Sequence, residues 1–121
     1  MVISFNPKFV KPILGITQPL KIHTIRQDKT NRWIPGRAMH MATGVRTKNY
    51  KQFLYAECLG TQRITIDPDS LFTVHVNDKL LVYSELKTLA LNDGFNSIDA
   101  FFAWFNQPFV GKIIHWTSFR Y

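Results

Sequence analysis

The chain predicts an α+β fold: a small β-barrel of about six strands with two or three short helices packed over it. Three observations point there. Short runs alternate apolar and polar residues, as in Phe72, Val74 and Val76 against Thr73 and His75. Turn residues such as Asn6-Pro7, Asp67-Pro68-Asp69 and Asn77-Asp78 separate those runs. One segment instead carries a helical stripe, with Ile98, Phe101, Phe102 and Phe105 at i, i+3, i+4 and i+7. At 121 residues the chain makes one domain, residues 1–121, large enough for a core without disulfides.

Val2 to Phe5 reads as an opening strand closed by Asn6-Pro7. Phe9, Val10, Ile13 and Leu14 recur at helical spacing, and Pro12 and Gly15 limit that helix to a turn or two. Pro19 precedes a strand over Lys21–Arg26, and Asp28 to Asn31 forms a polar turn. Trp33-Ile34-Pro35-Gly36 reverses the chain into a strand at Ala38–Thr43, which Gly44 ends. Arg46 to Gln52 is a basic connection. Phe53–Leu59 and Arg63–Ile66 read as strands split at Gly60-Thr61 by a bulge or a hairpin turn.

After Phe72–Val76 the chain turns toward a strand at Leu80–Tyr83. Ser84 can cap a helix over Leu86, Leu89 and Ala90 that stops near Gly94. Asn96 or Ser97 caps the Phe-rich helix, Pro108 closes it, and Gly111–Tyr121 is the last strand. There Ile114 and Trp116 face one side, with Ile113, His115 and Thr117 on the other.

The net charge is +7, distributed unevenly. Residues 1–52 hold ten Lys/Arg and one acid, while residues 53–121 hold five Lys/Arg and seven acids. Such asymmetry fits a polyanion-binding face if folding gathers the cations, and a solubilising surface if it does not. The lone Cys58 rules out an internal disulfide and reads as an inert core thiol in a cytoplasmic protein. No apolar run approaches membrane length, so a membrane partner is not expected. His23, His40, His75 and His115 lack metal-ligand spacing, so neither a metal nor another cofactor is expected.

The Lys21–Arg26 strand is a poor way to build a core. Alternation sends Ile22, Thr24 and Arg26 to one face and His23 and Ile25 to the other. A cationic, hydrogen-bonding face suits an anionic or polar partner. Solvated charges that discourage edge-to-edge pairing are the competing explanation for Lys21 and Arg26. Among the aromatics, Trp33 between Arg32 and Arg37, and Tyr50 between Lys48 and Lys51, have the character of base-stacking residues. Covering the rim of a core is the alternative for each.

The order of parts resembles the ASCH domain family of the PUA-like superfamily. The resemblance rests on Pro19-Leu20-Lys21 leading into Ile22–Arg26, on the Pro35-Gly36 turn, on Asp93-Gly94-Phe95 with Ser97 and Phe101, and on the closing Lys112–Phe119 strand. It implies a cleft between the Lys21–Arg26 strand and the loop before the Phe95 helix, and a role in binding RNA or modified bases. It further implies kinship with small amidohydrolases that remove acyl groups from the exocyclic amine of cytidine using a Lys, a Thr and an acid. Matched by motif, these are Lys21, Thr24 and Asp93; the acid is Asp where those enzymes carry Glu, and His23 stands where a small or apolar residue is usual.

The leading expectation is binding of RNA or a modified nucleotide in a basic cleft built from Lys21, His23, Thr24, Arg26, Arg32, Trp33, Arg37, Arg46 and Asp93. The second is amide hydrolysis. In it Lys21 serves as base, Thr24 as nucleophile or water-orienting group, Asp93 as proton donor, and Arg26 holds substrate or acid. The third is a protein–protein adaptor. A regular strand would point Lys21 and Thr24 to opposite faces, so they converge only if Lys21 lies outside the pleat or a bulge intervenes.

Overall fold

The structure, a computed structural model, describes residues 1–121. In chain order its elements are β1 (Val2–Ser4), a 3-10 turn (Pro7–Phe9), α1 (Val10–Leu14), β2 (His23–Arg26), β3 (Ala38–Thr43), β4 (Lys51–Glu57), β5 (Gly60–Asp67), β6 (Thr73–Val76), β7 (Lys79–Leu80), α2 (Tyr83–Asn92), α3 (Ile98–Trp104) and β8 (Phe109–His115). The strands form two sheets, one ordered β1-β3-β4 and the other β2-β8-β5-β6-β7. The α+β class holds. The expected barrel of about six strands gives way to eight strands in two sheets that do not close on each other.

The reason is visible at Cys58 and Leu59. β4 and β5 are not a hairpin, because the chain changes sheets between them. The Cys58 N–H donates to the Arg37 carbonyl at 2.8 Å, at the start of β3, while the Leu59 N–H donates to the His115 carbonyl at 2.8 Å, at the end of β8. The chain therefore passes from one sheet to the other between these two residues.

Strand β8 separates two cores. Successive side chains on a strand point to opposite faces. Ile113 accordingly joins Ile25, Ile64, Ile66, Leu89 and Phe101 beneath the helices. Ile114 joins Ile3, Phe5, Trp33, Met39, Met41 and Cys58 between the sheets. Each fully buried side chain of this size contributes about 1.5–3 kcal/mol. In β2 the same alternation sends Ile25 to the helical core, leaving Thr24 and Arg26 on the other face.

Three local expectations need correction. The strand at Leu80–Tyr83 shrinks to Lys79–Leu80, because Tyr83 already belongs to α2. Ser84 lies inside that helix rather than capping it; the Glu85 carboxylate accepts the Val82 N–H at 3.1 Å instead. The last strand ends at His115, beyond which the chain bends back until the Tyr121 N–H reaches the Gln62 side chain at 3.1 Å. The alternative left open at α3 resolves to Ser97, which caps the helix by accepting the Ala100 N–H at 3.0 Å.

Candidate functional site

Lys21 and Asp93, far apart in sequence, meet where β2 begins and α2 ends. The Lys21 N–H donates to the Pro12 carbonyl in α1 at 3.2 Å, and the Ile22 N–H to the Asn92 carbonyl in α2 at 2.8 Å. These bonds hold the two residues between helix ends, outside the pleat that starts at His23. Lys21 thereby escapes strand parity and faces the same cavity as Thr24. Gly94 makes the approach possible. It sits at φ +92°, and a Cβ there would stand 3.1 Å from the Phe9 ring and 3.3 Å from the Lys21 side chain.

The Lys21 ammonium donates to the Asp93 carbonyl at 2.7 Å and to Asp93 Oδ1 at 2.9 Å, and lies 4.7 Å from the centre of the Phe9 ring. Both residues are only 3% exposed, so each charge depends on the other. Burial pulls the Lys21 pKa below the ordinary lysine value, and the attraction of Asp93 offsets part of that fall. For Asp93, burial alone would raise the pKa. The Lys21 charge and the His23 hydrogen bond outweigh it and hold the carboxyl below its usual range.

Behind the pair runs a buried relay. His23 Nδ1 lies 3.2 Å from Asp93 Oδ1 and His23 Nε2 lies 2.6 Å from the Tyr121 hydroxyl, which also accepts from Asn92 Nδ2 at 3.1 Å. An ionised Asp93 only accepts, so this network assigns the proton to His23 Nδ1 and makes Nε2 the acceptor of the Tyr121 O–H. Burial keeps His23 neutral by lowering its pKa, and raises that of Tyr121. His115, opposite His23 in the sheet, donates from Nε2 to Gln62 Oε1 at 3.0 Å, while its buried Nδ1 has no partner. Burial pushes its pKa down to about 3.

The cavity in front of the pair measures about 420 Å³. Thr24 and Arg26 enter it from β2, Ser4, Phe5 and Asn6 from the end of β1, and Phe9, Phe95, Trp104 and Phe105 supply aromatic walls. Arg26 Nε donates to Thr24 Oγ1 at 3.1 Å, so the Thr24 hydroxyl proton is free to point elsewhere. Asp93 Oδ2 makes no hydrogen bond within the protein, since both side-chain partners of Asp93 use Oδ1. The cavity thus offers an acceptor, a hydroxyl and two cationic donors among flat apolar walls. A groove of about 490 Å³ between Leu71, Phe72 and the two longer helices is larger, yet its only charged residue is Asp99.

Lys21, Thr24, Arg26 and Asp93 therefore share one pocket, and His23 supports it from behind. The other expected residues do not join them. Trp33 is 6% exposed, packed in the core between the sheets, where it cannot stack on a base. Its burial follows from the Asp28 turn, whose carboxylate accepts the Arg32 and Trp33 N–H groups at 2.8 and 2.9 Å and turns the indole inward. Arg32 and Arg37 lie outside the cavity, Arg37 reaching the Met1 sulfur. Arg46 lies in the loop between β3 and β4, also outside the cavity.

No protein-family model, curated protein or solved structure matches this chain.

Sequence reasoning missed the Phe9, Phe95 and Phe105 walls and the Tyr121–Asn92 relay. Trp104 had a signal, lying three residues after Phe101 but off the core stripe and half exposed. Tyr121 had none, because its role depends on a fold-back after β8. No helix is long and apolar enough to cross a membrane, and no group of three His, Cys, Asp or Glu is placed to hold a metal ion.

Proposed function

We propose that the cavity binds a modified nucleotide base, as the ASCH resemblance implies. The observation that carries this reading is the joint placement of Lys21, Thr24, Arg26 and Asp93 in one polar hollow walled by Phe9, Phe95 and Trp104. Few precisely placed polar groups on aromatic walls suit a planar heterocycle with mixed donors and acceptors. A volume near 420 Å³ suits one nucleoside, not a length of chain. Of the cations expected in the cleft, Lys21 and Arg26 carry the role, and Arg32, Arg37 and Arg46 are left out of it, as is Trp33. Trp104, with the Lys8 ammonium 4.7 Å from its ring centre, replaces Trp33 as the stacking aromatic.

A second reading, hydrolysis of an acyl amide on that base, is favoured by the free Oδ2 of Asp93. Its ionised state recasts the expected roles: Asp93 accepts a proton and Lys21 donates one. Asp93 Oδ2 takes the proton from a water that the Thr24 hydroxyl orients, and the water oxygen adds to the acyl carbon. The C–N bond then breaks as the Lys21 ammonium protonates the exocyclic nitrogen, releasing acid and free amine. Water entering the emptied cavity carries the Oδ2 proton to the neutral Lys21 amine, which restores the ion pair.

Calorimetry and chromatography with N4-acetylcytidine test both readings together. Saturable binding that Thr24→Val weakens, with the fold intact, supports the binding role. Cytidine release that the same substitution cuts by about 10²–10⁴-fold adds the catalytic one. Absence of binding by the unaltered protein sinks both.

A further inference from the structure

We infer that the cavity takes its base from a single-stranded nucleic acid, whose phosphates lie along a cationic row crossing the second sheet. This rests on the base-binding reading above and extends it to the rest of the ligand. Arg26 stands directly opposite Lys112, and Lys112 directly opposite Arg63. Residues opposite one another share a sheet face, and like charges so placed are destabilising. The row spans about 10 Å across two strand spacings, and Asp28 pairs only with its middle member, Lys112, at 3.2 Å, leaving Arg63 without an acidic partner.

The row leads away from the cavity. Arg26 lines the cavity itself, and beyond it a groove of about 360 Å³ is lined by Lys29, Thr61, Arg63, Gly111 and Lys112. Gly111 keeps the strands close, since a Cβ there would fall 2.4 Å from the Arg26 carbonyl and 2.7 Å from the Phe109 ring on the opposite face of the sheet. The groove's one carboxylate, Asp28, is already committed: it accepts the Arg32 and Trp33 N–H groups and the Lys112 ammonium. Lys29 and Arg63 are exposed, and their side chains make no hydrogen bond or ion pair within the protein. The groove is thus left with two uncompensated cations beside a cavity sized for one base.

A single strand fits this layout better than a free nucleoside. One base enters between Phe9, Phe95 and Trp104 while the flanking phosphates meet Arg63, Lys29 and the spare hydrogen of Lys112. Lys29, Arg63 and Lys112 contribute to affinity without touching the base, so they read no sequence.

The test compares N4-acetylcytidine, followed by calorimetry, with a fluorescent RNA of about 12 nucleotides carrying one such base, followed by anisotropy across a salt series. The variants are K29Q/R63Q and, as a control lining neither the groove nor the cavity, R37Q/K87Q. The expected result is that RNA binds at least tenfold tighter than the nucleoside. K29Q/R63Q should remove that advantage and flatten the log–log salt slope by about 1.4, two contacts at about 0.7 each. Nucleoside affinity should stay unchanged in K29Q/R63Q, and R37Q/K87Q should match the unaltered protein throughout. Nucleoside binding with no RNA advantage, or an advantage that K29Q/R63Q keeps or both variants lose alike, overturns the phosphate row and leaves the cavity reading standing. Failure of the nucleoside to bind overturns the cavity reading, and the inference with it.

Discussion

Replacing Asp93 with Asn preserves its shape and an oxygen for His23, but removes the charge beside a buried ammonium. Losing one partner of a buried ion pair costs about 3–5 kcal/mol if the other stays charged. Lys21 has a way to reduce that cost, which is to release its proton. Burial already lowers its pKa, and only Asp93 opposes the fall to any large extent. In the unfolded chain its pKa returns to about 10.4. Below about pH 10, unfolded D93N therefore holds this proton more firmly than folded D93N, so stability rises with pH toward the ordinary lysine value. The slope cannot exceed about 1.4 kcal/mol per pH unit, the value for one proton. Urea unfolding at a series of pH values measures it directly. The unaltered protein should show a shallower rise, because Asp93 holds the lysine pKa higher, and K21M/D93N should show none from this site. A D93N slope no steeper than that of the unaltered protein, or one that persists in K21M/D93N, refutes the account of the pair.

Three further outcomes follow from the same contacts. Tyr121→Phe removes the hydroxyl between His23 Nε2 and Asn92 Nδ2, leaving the buried imidazole nitrogen without its partner; urea unfolding should show a loss of about 1–3 kcal/mol. Gly94→Ala forces a side chain into the left-handed region and against Lys21, so it should destabilise by about 1–2 kcal/mol and weaken nucleoside binding as well. In acid, folded His115 and folded Asp93 both hold protons less readily than their unfolded forms. Unfolded chain then binds more protons, so stability should fall as pH drops from about 6.5 toward 3 through His115, with Asp93 adding to the loss below about 4. Thermal melts across that range check it, and a His115 imidazole that titrates near 6.5 by NMR contradicts it.

Much of the fold was legible because its signals are local. The Phe stripe of α3, the β3 limits at Ala38 and Thr43, and the alternation of Ile113 and Ile114 depend on near neighbours. The barrel was misjudged at Cys58–Leu59, where nothing in the residues reveals that two adjacent strands belong to different sheets. At the site, Lys21, Thr24, Arg26 and Asp93 came from motif order, and the parity conflict between Lys21 and Thr24 was itself informative. Its resolution lies in backbone bonds to Pro12 and Asn92 that no strand pattern encodes. The cations of the first half misled, because counting charges along the chain ignores register. Lys112 and Arg63 come from the acidic half, yet stand beside Arg26. Trp33 misled for a similar reason: flanking arginines describe its neighbours in sequence, while the Asp28 turn decides where its ring goes.

The account depends most on the hollow beside β2 being where a ligand goes. Backbone amide NMR during titration with N4-acetylcytidine reads this out residue by residue. The expected result is saturable shifts concentrated at Thr24, Arg26, Gly94, Phe95 and the Trp104 indole. Shifts confined to Leu71, Phe72 and Ala103 around the apolar groove, or none at saturating ligand, would contradict it.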